Sequence, residues 1–329
     1  MPQSFVFVGA TAIGQCVADN LIKAGFVAAG ELSAADIVVT YCKSQEDLEN
    51  VYFDGAGIIA SARKGALLID LSPTTPAAAK EMAGMAQVSD LRPVEAPLYV
   101  RDPTVPDAFK DPDNLALFAA GEFDDVQAAE PALDAIAGRV ERTGEAGSAQ
   151  LAKCALTIQQ AIGLVGVIES DALVRAVAGE VDAHAALERA LALGTVPAWA
   201  HSLYHAIEGG AFASTYTVEI IMNEVSCALS AAEDADLIVP QIEAVSYLLN
   251  LLATLGGVDM SAAAVSLAYR DEDTAKKHGL DWNRAQEAYE ALGGHDHDHD
   301  DDDEYDFDDD DDDRDPSPFG GAFGGYSAN

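Results

Sequence analysis

Two patterns of apolar residues divide the chain. In the first part, short continuous apolar runs of strand length alternate with stretches in which apolar residues recur at helical spacing. The first run, 4–8, ends at Gly9, and a helical stretch, 13–24, ends at Gly25. Continuous runs of this kind are typical of strands buried on both faces of a parallel sheet. Later strands are predicted at 36–42, 66–71, 94–98, 115–120 and 139–142, with a helix at 124–137.

From residue 148 the spacing is helical almost throughout. A long helix is predicted over 148–173, and residues 180–290 repeat alanine and leucine at helical spacing with almost no strand-like alternation. After Gly293 and Gly294 the composition is too polar to bury a core. We therefore predict three parts: an α/β domain at 1–147, an all-α domain at 148–290 that includes the linking helix, and a disordered acidic tail at 291–329.

Charge and composition exclude several classes of function. The 329 residues carry a formal net charge of −38, of which −14 lies in the segment 295–315 and −24 in the rest. An acidic body repels nucleic acids and anionic membranes, so neither is expected as a partner. No apolar stretch approaches the roughly 18 residues of a membrane span, and the start lacks a signal-peptide pattern. We expect a cytoplasmic protein whose four scattered cysteines are free thiols.

A glycine motif lies between the first strand and the first helix. It reads Gly9, Ala10, Thr11, Ala12, Ile13, Gly14, at the place where GxGxxG lets a helix start hold the pyrophosphate of NAD or NADP. Threonine replaces the middle glycine, which normally lets the backbone approach the phosphates. The motif indicates either a cofactor site or a purely structural turn between a strand and a helix.

The next segment is too short for a complete dinucleotide-binding fold. Only ten residues, 26–35, separate Gly25 from the next apolar strand, whereas one parallel crossover takes about 10 to 12 residues by itself. A second strand and its returning helix cannot both fit. We expect a Rossmann-like parallel sheet that is truncated after the first βα unit, with Glu31 the only acid able to meet a ribose.

Several motifs in order resemble the 3-hydroxyisobutyrate dehydrogenase group of the 3-hydroxyacid dehydrogenases. The run VGATAIGQCVADNLIKAG is similar to that group's GxGxMGxxxAxNLxxAG, and residues 70–76, DLSPTTP, are similar to its DxSTxxP. Residues 95–98 stand where the family has DAPV, and residues 144–153 match GxxGxG(x)3K in spacing. The likeness runs from about residue 4 to about residue 270, with a late GxGxxD-like stretch at 256–259.

The resemblance implies hydride transfer between a 3-hydroxyacid and NAD or NADP. Lys153 stands at the family's catalytic lysine, which serves as general acid and base on the substrate oxygen, and a lysine suits that role when burial lowers its pKa. An ordinary surface lysine whose stem lies along apolar neighbours is the alternative. Ser72 and Thr74 keep hydroxyls beside the nicotinamide position that the family implies.

Other positions depart from the family pattern. The family's SGG segment, which holds the substrate carboxylate, reads Tyr99, Val100 and Arg101 here. Arg101 offers either a bidentate contact to a carboxylate or only a surface charge. Thr157 replaces the family's substrate-orienting asparagine. The family's lysine-aspartate pair of the second domain reads Asn223 and Glu224 here. The residues at these family positions that we take as candidates for substrate binding are Tyr99, Arg101 and Asn223.

Histidines occur in two places. His201 and His205 are four residues apart, which places both on one helix face, but the sequence shows no third ligand and we expect no metal site. In the tail, His295, His297 and His299 alternate with aspartates, which indicates a solvated acidic segment or a weak site for divalent ions.

Two hypotheses about function remain. The first is an NAD(P)-dependent oxidoreductase acting on a small hydroxyacid or a related carbonyl or imine compound, with Lys153 as acid and base and Thr157 beside it. The second is a noncatalytic relative that binds a ligand or partner after losing the dinucleotide pocket. In either case the family resemblance implies a homodimer formed through the helical domain.

Overall fold

A computed structural model describes residues 2–177, 182–194 and 196–291. Its strands form one sheet in the order β2-β1-β3-β4-β5-β7-β6, with β8 paired to β7. The first five strands in this order are parallel, β5 and β6 pair antiparallel with β7, and β8 is parallel to β7. The strands are β1 (Ser4–Gly9), β2 (Val27–Ala28), β3 (Ile37–Tyr41), β4 (Leu67–Asp70), β5 (Arg92–Glu95), β6 (Leu98–Val100), β7 (Leu115–Gly121) and β8 (Arg139–Gly144).

Helices flank the sheet and then make up the rest of the described chain. The predicted mixed α/β architecture is confirmed, and β3 is buried along its whole length, as its continuous apolar run indicates. The helices are α1 (Thr11–Lys23), α2 (Gln45–Phe53), α3 (Ile58–Ser61), α4 (Pro76–Val88), α5 (Phe123–Ile136), α6 (Ser148–Val177), α7 (Ala183–Leu191), α8 (Ala198–Gly209), α9 (Val218–Glu233), α10 (Pro240–Thr254), α11 (Glu272–Lys277) and α12 (Asn283–Ala291).

The sheet is truncated next to β1, as the short spacing predicts. A second strand does form, but β2 has only two residues and pairs with Ser4 and Phe5 of β1. The chain then returns through a single 3-10 turn, Leu32–Ala34, instead of a helix. Ten residues thus accommodate a strand of minimal length and a turn, and β2 ends the sheet on this side among the described residues.

The strand predicted at 94–98 is divided into two. Pro97 has no N–H to donate, and the pairing is interrupted at residues 96 and 97, but β5 and β6 pair with β7 in one continuous antiparallel register, with Glu95 opposite Ala120 and Leu98 opposite Leu117. The sequence pattern did not reveal this interruption, because both short strands are largely buried.

Helix α6 is the central element of the second half. It has 30 residues, several more than predicted, and packs against α8, α9 and α10. By length and composition alone it is apolar enough to cross a membrane, but half of its most apolar window is buried within the protein, as in a core helix. The predicted disordered tail lies outside the described residues.

Candidate active site

The glycine loop lies at the carboxyl ends of the parallel strands, the edge at which open α/β sheets bind ligands. Gly9 has a φ of +117°, and a Cβ atom built there would lie 2.0 Å from the carbonyl oxygen of Tyr41 on β3. The N–H of Ala10 donates to that carbonyl at 2.8 Å. Only glycine fits this position, because the loop is folded directly onto the end of β3.

The start of α1 has the properties of a pyrophosphate site. Thr11 and Ala12 are exposed, no side chain caps this helix start, and the N–H groups of a first turn have no intrahelical acceptor. Gly14 faces inward, where a Cβ atom would lie 2.4 Å from the ring of Phe7, so its role is close packing of helix on strand. Ile13 is buried in the core, so only its backbone N–H remains to meet a ligand. This end of the site therefore fits a dinucleotide phosphate.

Ser72 and Thr74 are buried and already bonded within the protein. The hydroxyl of Ser72 accepts the N–H of Cys42 at 2.9 Å, and the hydroxyl of Thr74 donates to the side chain of Gln45 at 3.2 Å. Gln150 of α6 bridges the same loop, accepting from the N–H of Thr74 and donating to the carbonyl of Ser72. Both predicted cofactor contacts thus lie between the sheet and α6.

Glu95 connects β5 to the start of α6. Its carboxylate accepts the backbone N–H groups of Gly147 and Gln150, so it caps the helix from another element. Burial raises the pKa of this carboxyl, while the same N–H groups act in the opposite direction. A Cβ atom on Gly147 would lie 2.6 Å from Lys80 Cε and 2.9 Å from the Pro76 carbonyl. These contacts fix the start of the helix that carries Lys153 almost two turns later.

Lys153 is buried and paired with a carboxylate of the helical domain. Only 2% of the residue is exposed, and its Nζ lies 2.7 Å from Oε1 of Glu224 on α9, at angles outside the hydrogen-bonding range. The hydroxyl of Tyr216 donates to the other oxygen of Glu224 at 2.6 Å. The ammonium also lies 5.1 Å from the ring centroid of Tyr99. Lys153 is therefore held between an acid and an aromatic face.

Three further groups, in addition to Tyr99, lie close to this pair. Thr157, one turn after Lys153, is buried, and its hydroxyl has no hydrogen-bond partner among the described residues. Burial raises the pKa of Cys154 to about 11 and that of Cys227 to about 12, so both thiols stay protonated at neutral pH. Burial and the charge of Glu224 raise the pKa of Tyr99 to about 12.

Aromatic rings fill the space between the end of β3 and the helical domain. The rings of Tyr41 and Phe109 meet edge to face with centroids 6.4 Å apart, and those of Phe109 and Tyr216 with centroids 6.1 Å apart. Tyr41 is fully buried, and its hydroxyl has no partner among the described residues. The chain around Phe109 is bonded to the helical domain, where Thr215 donates to Pro106 and accepts from Ala108. The structure is thus closed over Lys153.

The remaining predicted substrate residues lie at the margins of this arrangement. Arg101 is exposed and donates to the backbone carbonyl of Asp113 at 2.7 Å. Asn223 is half-buried and lines a cavity of about 130 Å³ together with Ser44 and Thr75. The larger cavity of about 650 Å³ lies elsewhere, between α4 and α5, with Arg142 and Phe123 in its wall.

Sequence reasoning missed two residues of this arrangement. Tyr216 belongs to no motif, and Tyr41 lies within an ordinary apolar run, so neither carries a local signal of its position beside the Lys153 pair. Glu224 was recognised only as a departure from the family's lysine-aspartate pair. A buried lysine requires a carboxylate partner, but the sequence does not show that Glu224 is the partner of Lys153.

Sequence comparison finds known proteins to which this chain is similar. A profile for the NAD binding domain of 6-phosphogluconate dehydrogenase matches residues 17–144. An uncharacterised oxidoreductase of Bacillus subtilis, YkwC, is 28% identical over 223 residues, which cover 68% of this chain and 75% of that protein. A probable 3-hydroxyisobutyrate dehydrogenase-like protein of Arabidopsis thaliana is 25% identical over 288 residues, 80% of this chain and 84% of that protein.

Solved structures show the same fold. The 3-hydroxyisobutyrate dehydrogenase of Mycobacterium tuberculosis, solved with L-serine, superposes with a TM-score of 0.69 at 20% sequence identity. The match covers 82% of this chain and all of the mycobacterial one. Residues outside the matched 82% of this chain have no counterpart in the mycobacterial structure.

Proposed function

We propose that this chain is a divergent, 3-hydroxyisobutyrate dehydrogenase-like member of the 3-hydroxyacid dehydrogenase family and that it is an NAD(P)-dependent oxidoreductase. Its substrate is a small hydroxyacid or a related carbonyl or imine compound. Lys153 is its general acid and base.

The burial of Lys153 is the observation that carries this proposal. Removing an ammonium from water costs several kcal/mol, and a purely structural lysine avoids this cost by keeping its charge in solvent. Here the charge of Lys153 lies between the α/β part and the helical part of the chain, on helix α6, which follows the last strand of the sheet. Buried ionisable groups with a specific charged partner are typical of functional sites.

The nicotinamide, when bound, accepts or supplies the hydride. In reduction the Lys153 ammonium donates a proton to the carbonyl oxygen, and in oxidation the neutral Lys153 amine, which has first released a proton, accepts the proton of the substrate hydroxyl. Glu224 holds the ammonium in place, and the Tyr216 hydroxyl holds Glu224 in turn. Tyr99 covers the ammonium and keeps water away from it, which strengthens the charge interactions inside the site.

Backbone N–H groups at the start of α1 would hold the pyrophosphate, with the exposed Thr11 hydroxyl beside them. The adenosine end has little protein around it, because the chain passes from β2 to β3 through one 3-10 turn. Access to Lys153 requires the contacts of Phe109 and Thr215 between the domains to separate. Domain opening of this kind is a common part of the catalytic cycle in enzymes that close over their substrates.

One observation favours the noncatalytic alternative. The rings of Tyr41, Phe109 and Tyr216 occupy the space between the end of β3 and α9, and Lys153 is already neutralised by Glu224. A relative that had lost its cofactor would be free to fill the crevice in this way.

Turnover assays separate the two functions. The purified full chain is incubated with NADP or NAD and a panel of small hydroxyacids, and in reverse with the corresponding oxoacids and imines, while nicotinamide absorbance is followed. Wild-type turnover is expected, and Lys153→Ala should reduce it by about 10²-fold or more with unchanged nucleotide affinity. Lys277→Ala, which removes an exposed lysine of α11, is the matched control. Full activity in Lys153→Ala would exclude its role, and wild-type inactivity across the panel would favour the alternative.

We further propose that the chain forms a homodimer through the helical domain. Apolar side chains are exposed there on α10 and on the segment before it, where Ile238 is 81% and Tyr247 is 77% exposed. Light scattering on the eluting protein should give twice the chain mass, and Tyr247→Glu should shift it toward the monomer. A monomeric wild type would refute this part.

A further inference from the structure

A cluster of two histidines and one glutamate joins helices α7 and α8. Ligand atoms of Glu188, His201 and His205 all lie within 4.8 Å of one another. His201 and His205 are one turn apart on α8, with ring centroids 4.3 Å apart. Glu188 comes from the neighbouring helix and is the third ligand that the sequence alone did not reveal. The cluster lies outside the Lys153 site and shares no residue with it.

The pairing of the two helices brings these residues together. His184 of α7 meets the hydroxyl of Tyr204 on α8 at 2.9 Å. Glu188 lies one helical turn after His184 and therefore on the same face of α7. His205 directly follows Tyr204, and its ring lies beside the tyrosine ring with centroids 5.9 Å apart. The contact between His184 and Tyr204 thus sets the register in which Glu188 reaches the histidine pair.

The donor set is selective for a class of metal ions. Imidazole nitrogens with one carboxylate suit zinc and the neighbouring divalent transition metals, whereas magnesium and calcium prefer ligand sets of oxygen alone. A tetrahedral ion at about 2.0–2.1 Å from each ligand needs donor atoms about 3.4 Å apart. Glu188 and His205 are exposed and His201 is half-buried, so side-chain rotation alone brings the donors closer.

We propose that Glu188, His201 and His205 form a binding site for zinc or a similar divalent transition metal, which ties α7 to α8. Three protein ligands leave a fourth position for water. Helix α7 gains most from such a tie, because Leu191 is its only buried side chain among those described. The acidic body of the chain further favours a cation at this surface.

Thermal unfolding of the full chain with ZnCl₂ tests the proposal. Zinc should raise the unfolding midpoint in a saturable manner, because an ion that binds only the folded state stabilises it. Glu188→Ala and His205→Ala, both at exposed helix positions, should each weaken zinc binding by at least about tenfold. With CoCl₂ as the probe, the wild type should show visible absorption bands of a low-coordinate cobalt site, and both variants should lose them.

Two controls exclude other sources of the effect. The variant with His295, His297 and His299 changed to Asn should keep the full zinc shift, because all three proposed ligands lie on α7 and α8. MgCl₂ at the same concentration should give no comparable shift, which excludes general screening of the acidic surface. An equal zinc shift in Glu188→Ala and wild type, loss of the shift in the tail variant, or an equal shift with magnesium would overturn the proposal.

Discussion

The pair formed by Lys153 and Glu224 allows a quantitative test of the closed site. Removing one partner of a buried ion pair leaves an uncompensated charge and costs about 3–5 kcal/mol. We expect about 3 kcal/mol for Lys153→Met, since Glu224 keeps the hydrogen bond from Tyr216, and about the same for Glu224→Gln, since Lys153 keeps its contact with the Tyr99 ring. The double variant leaves no unpaired charge, so it should cost no more than either single change, which gives a coupling energy of about 3 kcal/mol.

Urea unfolding at neutral pH, followed by far-UV circular dichroism, measures the four free energies of this cycle. The matched control is the cycle of Lys64→Met and Asp90→Asn, because that pair is largely exposed and should show little coupling. Additive costs for Lys153→Met and Glu224→Gln would refute the reasoning. They would mean that the two groups do not interact in the folded protein.

Three further predictions concern the surrounding structure. Gly14→Ala should destabilise the fold by about 1–3 kcal/mol in urea unfolding, because its Cβ atom would press on the Phe7 ring, and an unchanged midpoint would contradict the packing. Gly147→Ala should cost at least as much, since its φ is +90° and Lys80 and the Pro76 carbonyl occupy the space; recovery of full stability in Gly147→Ala with Lys80→Ala would show that the backbone is unstrained. Burial raises the pKa of Asp70 to about 7, so its contribution to stability is complete below about pH 4 and is lost as the pH rises to about 7. The stability of Asp70→Asn relative to wild type should therefore increase by up to about 4 kcal/mol between about pH 4 and pH 8. A stability difference that stays constant over this pH range would refute the shifted pKa.

Much of the sheet follows from local sequence. Strands β3 and β4 are continuous apolar runs, which only a sheet covered on both faces buries completely. The truncation next to β1 follows from counting residues. The two-residue strand β2 does not, because its apolar run, 26–29, is only four residues long and both strand residues are exposed. The interruption at Pro97 was hidden for the opposite reason, since the strand-like pattern continues through it.

The candidate site was predictable only in part. Lys153 and the glycines before it are local in sequence, so spacing within one motif located them. The partners of Lys153 depend on how α9 and the chain before it pack against α6, and nothing in the residues around Tyr216 indicates that contact. The third member of the histidine cluster was missed in the same way, because Glu188 lies on a different helix from His201 and His205.

The central claim is that this chain binds a nicotinamide dinucleotide beside Lys153. Its most direct test is a titration of the purified full chain with NADPH and, separately, NADH, followed by nicotinamide fluorescence. We expect saturable binding of at least one nucleotide, with about 2.7 kcal/mol of added stability at 100 times its dissociation constant. No binding of either nucleotide at millimolar concentration would contradict the account.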